Sequence, residues 1–569
     1  MSNSTGSLIR RTYTNFRGVD FSDKEVNITR SPDSLNMWKN YKNSLGKCIE
    51  TRPDIELFKS FSNTVFGLFF YKVGNTEHII VHCGTKLIDI VNGKETEIRS
   101  GMNPRKSYSF IYNNIFYIKD GINYLEYDGD VCKEVEGYIP TTSISRKPSG
   151  GGTTYEDVNM LSDYRRNSFV ADGESTRYYL NTKNIDSDYK PIAIVNNAQV
   201  MDFTVNYAGD NLGAYIEFKT APAVPLTDGQ DNVVITFKKT VSGYRERINK
   251  CTLLCVFDNR VFFSGNQNYP NVIFHSSLND PRYCSDTDYY EEGLDNASVK
   301  SMVAGNNALW VFKEPSQANT TVFYHNPTID SEYGKIYPSN HSSISTGCIA
   351  TGINFNDDIA FFSDRGMEAI NGDVTTEQVL AHRSSVVDSR LLAEANYKDM
   401  LLEEWEGYLL VIIDNKVYLA DSRNMFVNQN HNEYEWFYWE LSKNITSTCV
   451  KDGVLYLCSE DGIYTLTAKN NIESYWTTPE DEFNYPQFQK TTNKRGSVID
   501  TDSTDIVVSV KKDNKEFEII DTEASENGYL VNRTKTKKWK SIQMKFSSNK
   551  PFNIYSCTLE AYVGAYVKR

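Results

Sequence analysis

One phrase recurs along this chain at intervals of about 45 to 50 residues. An apolar strand runs into a pair of Asn, Asp or Gly residues, turns into a second apolar strand, and a third follows. The copies are FYKVGNTEHIIVHCGTKLIDIV around Gly74 and Asn75, FIYNNIFYIKDGINYLEY around Asn113 and Asn114, and CVFDNRVFFSG around Asp258 and Asn259. They continue with VAGNNALWVFKEP around Asn306 and Asn307, NFNDDIAFFSDRGMEAING around Asp357 and Asp358, EEWEGYLLVIIDNKVYLAD around Glu406 and Gly407, and VKDGVLYLCSEDGIYTL around Asp452 and Gly453. Two-residue hairpin turns need positive φ at one or both central positions, which Asn, Asp and Gly tolerate best, so each pair marks a hairpin tip. A unit of three or four short strands cannot bury both of its faces alone, and stacking around an axis solves that while shielding strand edges. The expected fold is all-β: a β-propeller of six or seven blades. Seven turn pairs are visible, and the first stretch can complete the last blade, which leaves six open. The alternative is a pair of ordinary β-sandwiches with many hairpins, which the regular spacing disfavours.

The 569 residues suffice for several domains and a large core. Aromatic residues make up 13%, with 37 Tyr and 29 Phe, a composition that suits extracellular or virion β-proteins. No apolar run of about 18 residues occurs, so no transmembrane helix is expected. The start, MSNSTGSLIRRTYTNF, lacks the apolar stretch of a signal peptide, which predicts synthesis in a cytoplasm. The formal net charge is -14. Sequence-independent DNA binding needs Lys and Arg to displace counterions from phosphate, and this chain has the opposite sign. The one basic run, Arg533, Lys535, Lys537, Lys538, Lys540 and Lys545, alternates with strand residues and reads as a solvated strand face or a subunit contact.

Four regions separate. Residues 1–60 form an arm of turn residues and apolar anchors without a sustained period, expected to pack on a ring of subunits or on the propeller. Residues 61–140 hold the first two repeat units. SRKPSGGGTTYEDVN, with Pro148 and Gly150 to Gly152, then reads as a flexible junction that opens an inserted β-sandwich, 141–250 with the junction included. Within it, Val158, Met160 and Leu161 suggest a short turn or helix, and PIAIVNNAQV, MDFTVNYA, AYIEFKTAPA and NVVITFKK alternate as strands. Surface loops accept such whole-domain insertions at small entropic cost. Blades resume over 251–476, and 477–569 reads as a C-terminal β-sandwich.

No catalytic constellation stands out. GxSxG, HExxH, GxxxxGK[ST] and a post-strand GxGxxG are all missing. The ten cysteines show no CxxC pair and read as reduced, buried thiols; Cys251 and Cys255, four apart, have no nearby His to make a zinc site. His78 and His82 lie about 13 Å apart along a strand, too far to share a metal. Neither a metal nor a cofactor is expected. Ser363-Asp364-Arg365-Gly366 and Ser459-Glu460-Asp461-Gly462 partly resemble the Asp-box turns of sialidases but lack the trailing Thr-Trp. Glu403 and Glu404, or Asp357 and Asp358, invite comparison with glycosidase carboxylates, yet adjacent strand residues point to opposite faces. Hairpin tips suit Asp357 and Asp358 better. The run EYEWFYWEL, with Tyr434, Trp436, Phe437, Tyr438 and Trp439, is either a sugar-stacking platform or a buried blade strand with Trp436 and Tyr438 on one face and Phe437 and Trp439 on the other.

The N-terminal phrases NFRGVDFS (Asn15 to Ser22), SPDSLNMW (Ser31 to Trp38) and GKCIETRPD (Gly46 to Asp54) stand in one order. This resembles the opening of phage tail propeller proteins, the nozzle, hub, muzzle or packaged-DNA stabilisation proteins of podoviruses and crAss-like phages. There a Gly-Val stretch, a Pro-containing phrase ending in Asn, and Gly-x-x-x-x-Arg-Pro precede the first blade. Phe169, Asp172-Gly173, the strand at Tyr178 to Leu180, Ile216-Glu217-Phe218 and Ala221-Pro222 look like a small β-module of phage tail appendages, and AYVGAYVK (Ala561 to Lys568) is similar to the ends of phage propellers. Asp54 replaces the Gly that follows Arg-Pro, and Ala565 replaces a second Gly.

The resemblance implies a structural virion protein rather than an enzyme. It implies a homo-oligomeric ring of six subunits attached below the portal and adaptor, beside tail fibres or spikes, enclosing a channel that retains genomic DNA and passes it without specific binding. An acidic wall would let DNA slide, so retention would fall to loops, for example the connections Tyr324 to Ser345 and Asn424 to Glu433. Two other readings compete: a glycan-binding receptor-recognition propeller, and a sialidase-like glycosidase. The second would need an arginine cluster and an acid/base pair at the propeller centre.

Overall fold

In a computed structural model, the structure describes residues 7–566 apart from 23–25, 43, 319, 332–333, 372–376, 429–430, 514, 521, 525–528 and 533–535. Among these, seven four-stranded antiparallel sheets stand out, six of them meanders in chain order and the seventh completed by a strand from near the N-terminus, the strand order of propeller blades. Blade I is Val65–Val73, Thr76–Cys83, Lys86–Val91 and Lys94–Ser100; blade II is Tyr108–Tyr112, Ile115–Lys119, Tyr124–Tyr127 and Cys132–Glu134. Blade III is Leu253–Phe257, Arg260–Ser264, Val272–His275 and Tyr289–Glu291; blade IV is Val299–Gly305, Ala308–Lys313, Val322–His325 and Ser339–His341. Blade V is Gly352–Phe355, Asp358–Ser363, Gly366–Asn371 and Val379–His382; blade VI is Leu401–Trp405, Tyr408–Ile413, Lys416–Asn428 and His431–Glu440. Blade VII combines Ser447–Lys451, Val454–Cys458 and Gly462–Ala468 with Asp54–Ser60 as its fourth strand. The fold is thus an all-β propeller with seven blades, the last one closed from the N-terminal side.

Turn chemistry places the first hairpin of each blade. Both central residues have positive φ at Asn113 and Asn114 (48° and 59°), Asp258 and Asn259 (48° and 58°), Asn306 and Asn307 (51° and 58°), Glu406 and Gly407 (53° and 76°), and Asp452 and Gly453 (50° and 77°). That is the type I′ geometry whose twist matches paired strands. In blade V the turn is Asn356 and Asp357 (51° and 64°), one residue earlier than the Asp357 and Asp358 expected. Asp358 instead opens the second strand, where its carboxylate takes Arg383 Nε at 2.8 Å and the Tyr434 hydroxyl.

The chain divides into two compact units, Phe70–Ser345, and Met1–Phe69 with Thr346–Arg569. In the first unit, blades II and III bury Tyr117, Tyr124, Phe263 and Phe274 together, and blades III and IV bury Phe262, Ile273, Leu309 and Val311. The insert is a two-layer sandwich. One sheet runs Thr153–Thr154, Thr141–Arg146, Tyr164–Phe169, Val233–Lys238, Ile192–Val195 and Ala198–Val200; the other runs Arg177–Tyr179, Gly213–Phe218 and Phe203–Asp210. Phe169, Tyr178, Ile216, Phe218 and Ile235 fill the space between them. Val158 to Leu161 form a turn, not a helix, and the unit's helix is Tyr244–Asn249. The Gly-rich stretch expected as a flexible junction is an ordered turn. Lys147 and Gly150 exchange backbone hydrogen bonds of 3.2 and 2.9 Å, and the buried Arg146 guanidinium donates to the Gly151 and Tyr179 carbonyls at 2.5 and 2.9 Å.

In the second unit, blades V and VI share a core of Phe362, Met367, Val411, Tyr418 and Trp436. The C-terminal sandwich has one sheet ordered Leu8–Thr14, Ser556–Tyr566, Phe488–Asp500, Tyr529–Asn532 and Thr522–Ala524, with Lys537–Trp539 also pairing Phe488–Asp500. The other is ordered Ser34–Leu35, Ser474–Thr477, Ile542–Ser548, Val507–Lys512 and Glu518–Ile520. The N-terminal stretch is therefore woven into the C-terminal sandwich: Leu8 to Thr14 pair with Tyr562 to Ser556, and Ile49 and Glu50 pair with Ile554 and Asn553.

Candidate functional site

Propeller chemistry belongs to the first strands, which stand side by side in the centre of such folds. Here the first strands of blades II, III and IV are neighbours in one unit, and those of blades VI and VII in the other. They are apolar and half-buried, with Phe110, Leu254 and Met302 among their residues. No arginine stands on any of the seven first strands, and their charges are Lys72, Lys300, Glu403, Glu404 and Lys451. Lys300 is paired with Glu314 at 3.1 Å. Glu403 and Glu404 oppose Leu410 and Leu409, so they sit on opposite faces of one strand. The first strands therefore supply none of the arginines a sialidase centre would need.

The other residues singled out by the sequence are absorbed by structure. All ten cysteines are free, and burial pushes the Cys251 and Cys255 thiols up to about 12. Among the described residues no group of three His, Cys, Asp or Glu is placed to hold a metal. His78 Nδ1 lies 2.7 Å from Asp89, and His82 Nδ1 lies 3.1 Å from the Ser107 hydroxyl. Ser363 and Ser459 shape blade hairpins: Ser363 Oγ accepts the Arg365 amide at 3.0 Å, and the Ser459 amide reaches the Gly462 carbonyl at 2.8 Å. The aromatic run is buried throughout. Trp436 and Tyr438 enter the core of blades V and VI, while Phe437 and Trp439 enter the core toward the C-terminal sandwich. Trp436 is fully buried and its Nε1 donates to the Arg383 carbonyl at 2.9 Å, so that ring presents no face to solvent on which a sugar could stack. Of the basic run, Lys537, Lys538 and Lys540 are exposed and Lys545 lies 3.5 Å over the Tyr475 ring; Arg533 and Lys535 fall outside the described residues.

The three N-terminal phrases meet on one strand, the fourth of blade VI. The Val19 amide donates to the Trp436 carbonyl at 2.7 Å. The Asn36 amide donates to the Tyr438 carbonyl at 3.0 Å, and Asn36 Oδ1 accepts the Glu440 amide at 2.9 Å. Arg52 Nη2 donates to the Glu440 carbonyl at 2.6 Å. The arm thus satisfies residues 436, 438 and 440, the alternate positions that face outward along one strand edge. Each phrase contributes what its position requires. Gly18 has φ of +83°, and a Cβ there would run into the Trp436 carbonyl oxygen. Asn36 takes φ of +56° and also donates to the Glu473 carbonyl at 2.8 Å. The Arg52 guanidinium, with a side chain 2% exposed, further donates to Asn36 Oδ1 and the Pro53 carbonyl, both at 2.8 Å. Burial lowers its pKa to about 10, opposed by the Asp54 carboxylate 3.5 Å away. Asp54, the departure from the phage pattern, is therefore a counter-ion for the arginine of the motif.

Both connections singled out in the sequence are exposed among the described residues. The connection Tyr324 to Ser345 folds as a hairpin, Thr328–Asp330 with Gly334–Ile336, projecting from blade IV and carrying Ile329 at 88% exposure. The third and fourth strands of blade VI extend past the sheet, pairing Phe426 with Glu433 and exposing Val427 by 73%. The acidic surplus is also localised. Residues 251–476 hold 31 Asp and Glu against 14 Lys and Arg, and the rest of the chain holds 43 against 46. The later blades alone make the molecule acidic.

No family model matches the sequence, and no curated protein matches it. Among solved structures the chain is similar to YCF48 bound to a D1 peptide, at 6% identity over 74% of this chain and 96% of that one, with a TM-score of 0.31. It is also similar to BBS1N in complex with ARL6DN, at 8% identity over 73% and 96%, with a TM-score of 0.26. An exo-β-1,3-galactanase from Phanerochaete chrysosporium aligns at 7% identity over 90% and 100%, with a TM-score of 0.18. Likeness this remote leaves the fold to rest on the strand order and hydrogen bonds described above.

Proposed function

We propose that this chain is a structural subunit of a bacteriophage tail. In this reading identical copies, six by the family resemblance, form a nozzle or hub ring below the portal and adaptor, contact fibres or spikes, and surround a channel that retains packaged DNA until ejection. The observation that carries the reading is the convergence of the three N-terminal phrases on residues 436 to 440. Phrases that matched by chance would have no reason to act on one strand; as one edge-covering device they form a single unit of resemblance. The concentration of acid in residues 251–476 supports a DNA-facing role for the later blades, because an acidic wall repels phosphate and lets a duplex slide.

The test is imaging of purified protein and of virions from cells expressing it. A ring of fixed symmetry, present at one tail position in particles, is the expected result. A strictly monomeric species by mass photometry, together with absence of the protein from purified virions, would overturn the reading.

A further inference from the structure

Where the arm covers the edge of blade VI, two of its arginines present their guanidinium groups to one cleft. A turn at Asn27 places them. Asn27 Oδ1 accepts the Thr29 amide at 3.0 Å, the Arg30 amide donates to the Asn27 carbonyl at 2.8 Å, and the Arg17 amide donates to the Thr29 carbonyl at 2.7 Å. Arg17 and Arg30 thereby line a cleft of about 740 Å³, together with Thr29, Val386 and Phe426.

Arg30 is the more constrained of the two. Its side chain is 10% exposed, and its guanidinium carbon lies 3.5 Å from the centroid of the Phe426 ring. A guanidinium carries five N–H donors, and buried donors normally find acceptors. Among the described residues none accepts from Arg30, and its one ion-pair contact is Asp20 Oδ2 at 4.0 Å, beyond hydrogen-bond reach. Burial lowers the pKa of Arg30, against the pull of Asp20, Glu435 and Glu433, and the charge of Arg17 lowers it further. The Arg17 side chain is 42% exposed and meets Glu435 Oε1 at 3.4 Å without a hydrogen bond.

The nearby acids balance charge but leave these donors unmatched. Glu435 and Glu433 are 1% and 3% exposed and are not among the residues lining the cleft. Asp20 does line it, but its Oδ1 is taken by the Ser22 amide and hydroxyl at 3.1 and 2.6 Å. Two guanidinium forks therefore face the cleft, with most of the compensating charge buried outside it. A carboxylate or a phosphate offers the lone pairs that such forks bind in parallel.

We propose that this cleft is a binding site for a small oxyanion, a carboxylate or a phosphate, clamped between Arg17 and Arg30, with Phe426 holding the Arg30 plane in place. The site belongs to the single chain and does not rest on the tail reading.

Calorimetric titration of the full-length protein with inorganic phosphate and, separately, with succinate, at fixed ionic strength, tests it. Saturable one-site binding of at least one of them is expected, with a dissociation constant of about 1 mM or tighter, and the anion that binds tells phosphate from carboxylate. Arg17→Gln and Arg30→Gln should each weaken that binding at least about tenfold, because each removes charge-assisted hydrogen bonds. Arg17 is the more exposed, so its variant provides the reading if Arg30→Gln fails to fold. Lys540→Gln, which removes an exposed cation from the C-terminal sandwich, should bind as the natural protein does. No saturable binding of either anion, or unchanged binding in Arg17→Gln, would overturn the site. Equal weakening in Lys540→Gln would also overturn it, since the anions would then be responding to the general charge of the surface.

Discussion

The outer strands of blades I and VI solve one problem in opposite ways. A fourth strand leaves a row of backbone donors and acceptors open to any other strand. In blade I this strand is KETEIRS, Lys94 to Ser100, mostly exposed and carrying four charges. In blade VI it ends in YEWFYWE, Tyr434 to Glu440, largely aromatic and buried as far as Trp439, with its outward carbonyls taken by the arm. The first solution is local and needs nothing but its own side chains. The second depends on residues about 400 positions away in sequence, so it exists only after both ends of the chain are made and docked. Charge keeps a strand edge unpaired, whereas cover allows that edge to be apolar and to serve a core.

The largest effect should come from breaking the cover where it is most buried. Arg52→Met removes the donors to the Glu440 and Pro53 carbonyls and to Asn36 Oδ1, and leaves Asp54 without its counter-ion. Losing one partner of such a buried charged network costs about 3 to 5 kcal/mol. Denaturant unfolding should show that loss, and amide exchange should place it at Val19 and Asn36. Full protection of those two amides in the variant would show that the arm is held by other means.

Gly18→Ala tests the same cover at a single point. The residue must keep φ near +83° and must also push the Trp436 carbonyl away, for a cost of about 2 to 3 kcal/mol. The Val19 amide should lose protection while Asn36 keeps most of its own. Equal loss at both would mean that the arm detaches as one piece.

These positions also show what the sequence reveals and what it hides. Hairpin tips were legible because a two-residue turn is written in adjacent residues, and the Asn-Asn, Asp-Asn and Gly-containing pairs could be counted directly. The one shift, from Asp357 and Asp358 to Asn356 and Asp357, arose because three consecutive residues there all favour turns, and only the buried Arg383 and Tyr434 decide which of them enters the strand. The closure of blade VII by Asp54 to Ser60 was legible only as an option, because its partner Gly462 to Ala468 lies far along the chain and no local signal selects it. The Gly-rich stretch at 150–152 read as flexible, since the sequence cannot show that Arg146 folds back on it. The motif arginine and asparagine were visible as a resemblance, but their shared target on blade VI was not. The contacts of Glu292 with His325 and Ser339 were invisible: these partners, 33 and 47 residues away, carry no motif.

Blade V offers a third way to hold an outer strand, by an ionic clamp. His382, on its fourth strand, lies 3.2 Å from Glu368 and 2.6 Å from Asp388. Burial alone would lower its pKa, but the hydrogen bonds and charges of Asp388 and Glu368 outweigh it and raise the value to about 10. Because the folded value exceeds the unfolded value near 6.5, the stabilisation is complete below about pH 6.5 and is lost as pH rises through 10. His382→Gln should therefore be less stable than the natural protein by about 1 to 2 kcal/mol at pH 6, with the gap closing toward pH 10. A gap that stays constant across that range would mean that the histidine contributes packing and no charge.

The smallest effect on stability, and the sharpest on the comparison, belongs to blade I. Glu97 pairs with Lys86 at 2.6 Å, but their side chains are 43% and 54% exposed, and exposed pairs contribute little. Replacing Glu95 and Glu97 with threonine should change unfolding free energy by no more than about 0.5 kcal/mol, because threonine suits a strand and both positions are exposed. What changes is the edge. With its acids gone, the Lys94 to Ser100 strand keeps only Lys94 and Arg99 of its four charges and offers a less guarded row of open hydrogen-bonding groups, and sedimentation velocity should show association that rises with protein concentration. Adding Arg52→Met should produce a second, independent increase, since it uncovers a different strand. If the threonine variant sediments as the natural protein does, charge is not what keeps that edge unpaired, and the contrast between a covered strand and a charged one would reduce to a difference in burial alone.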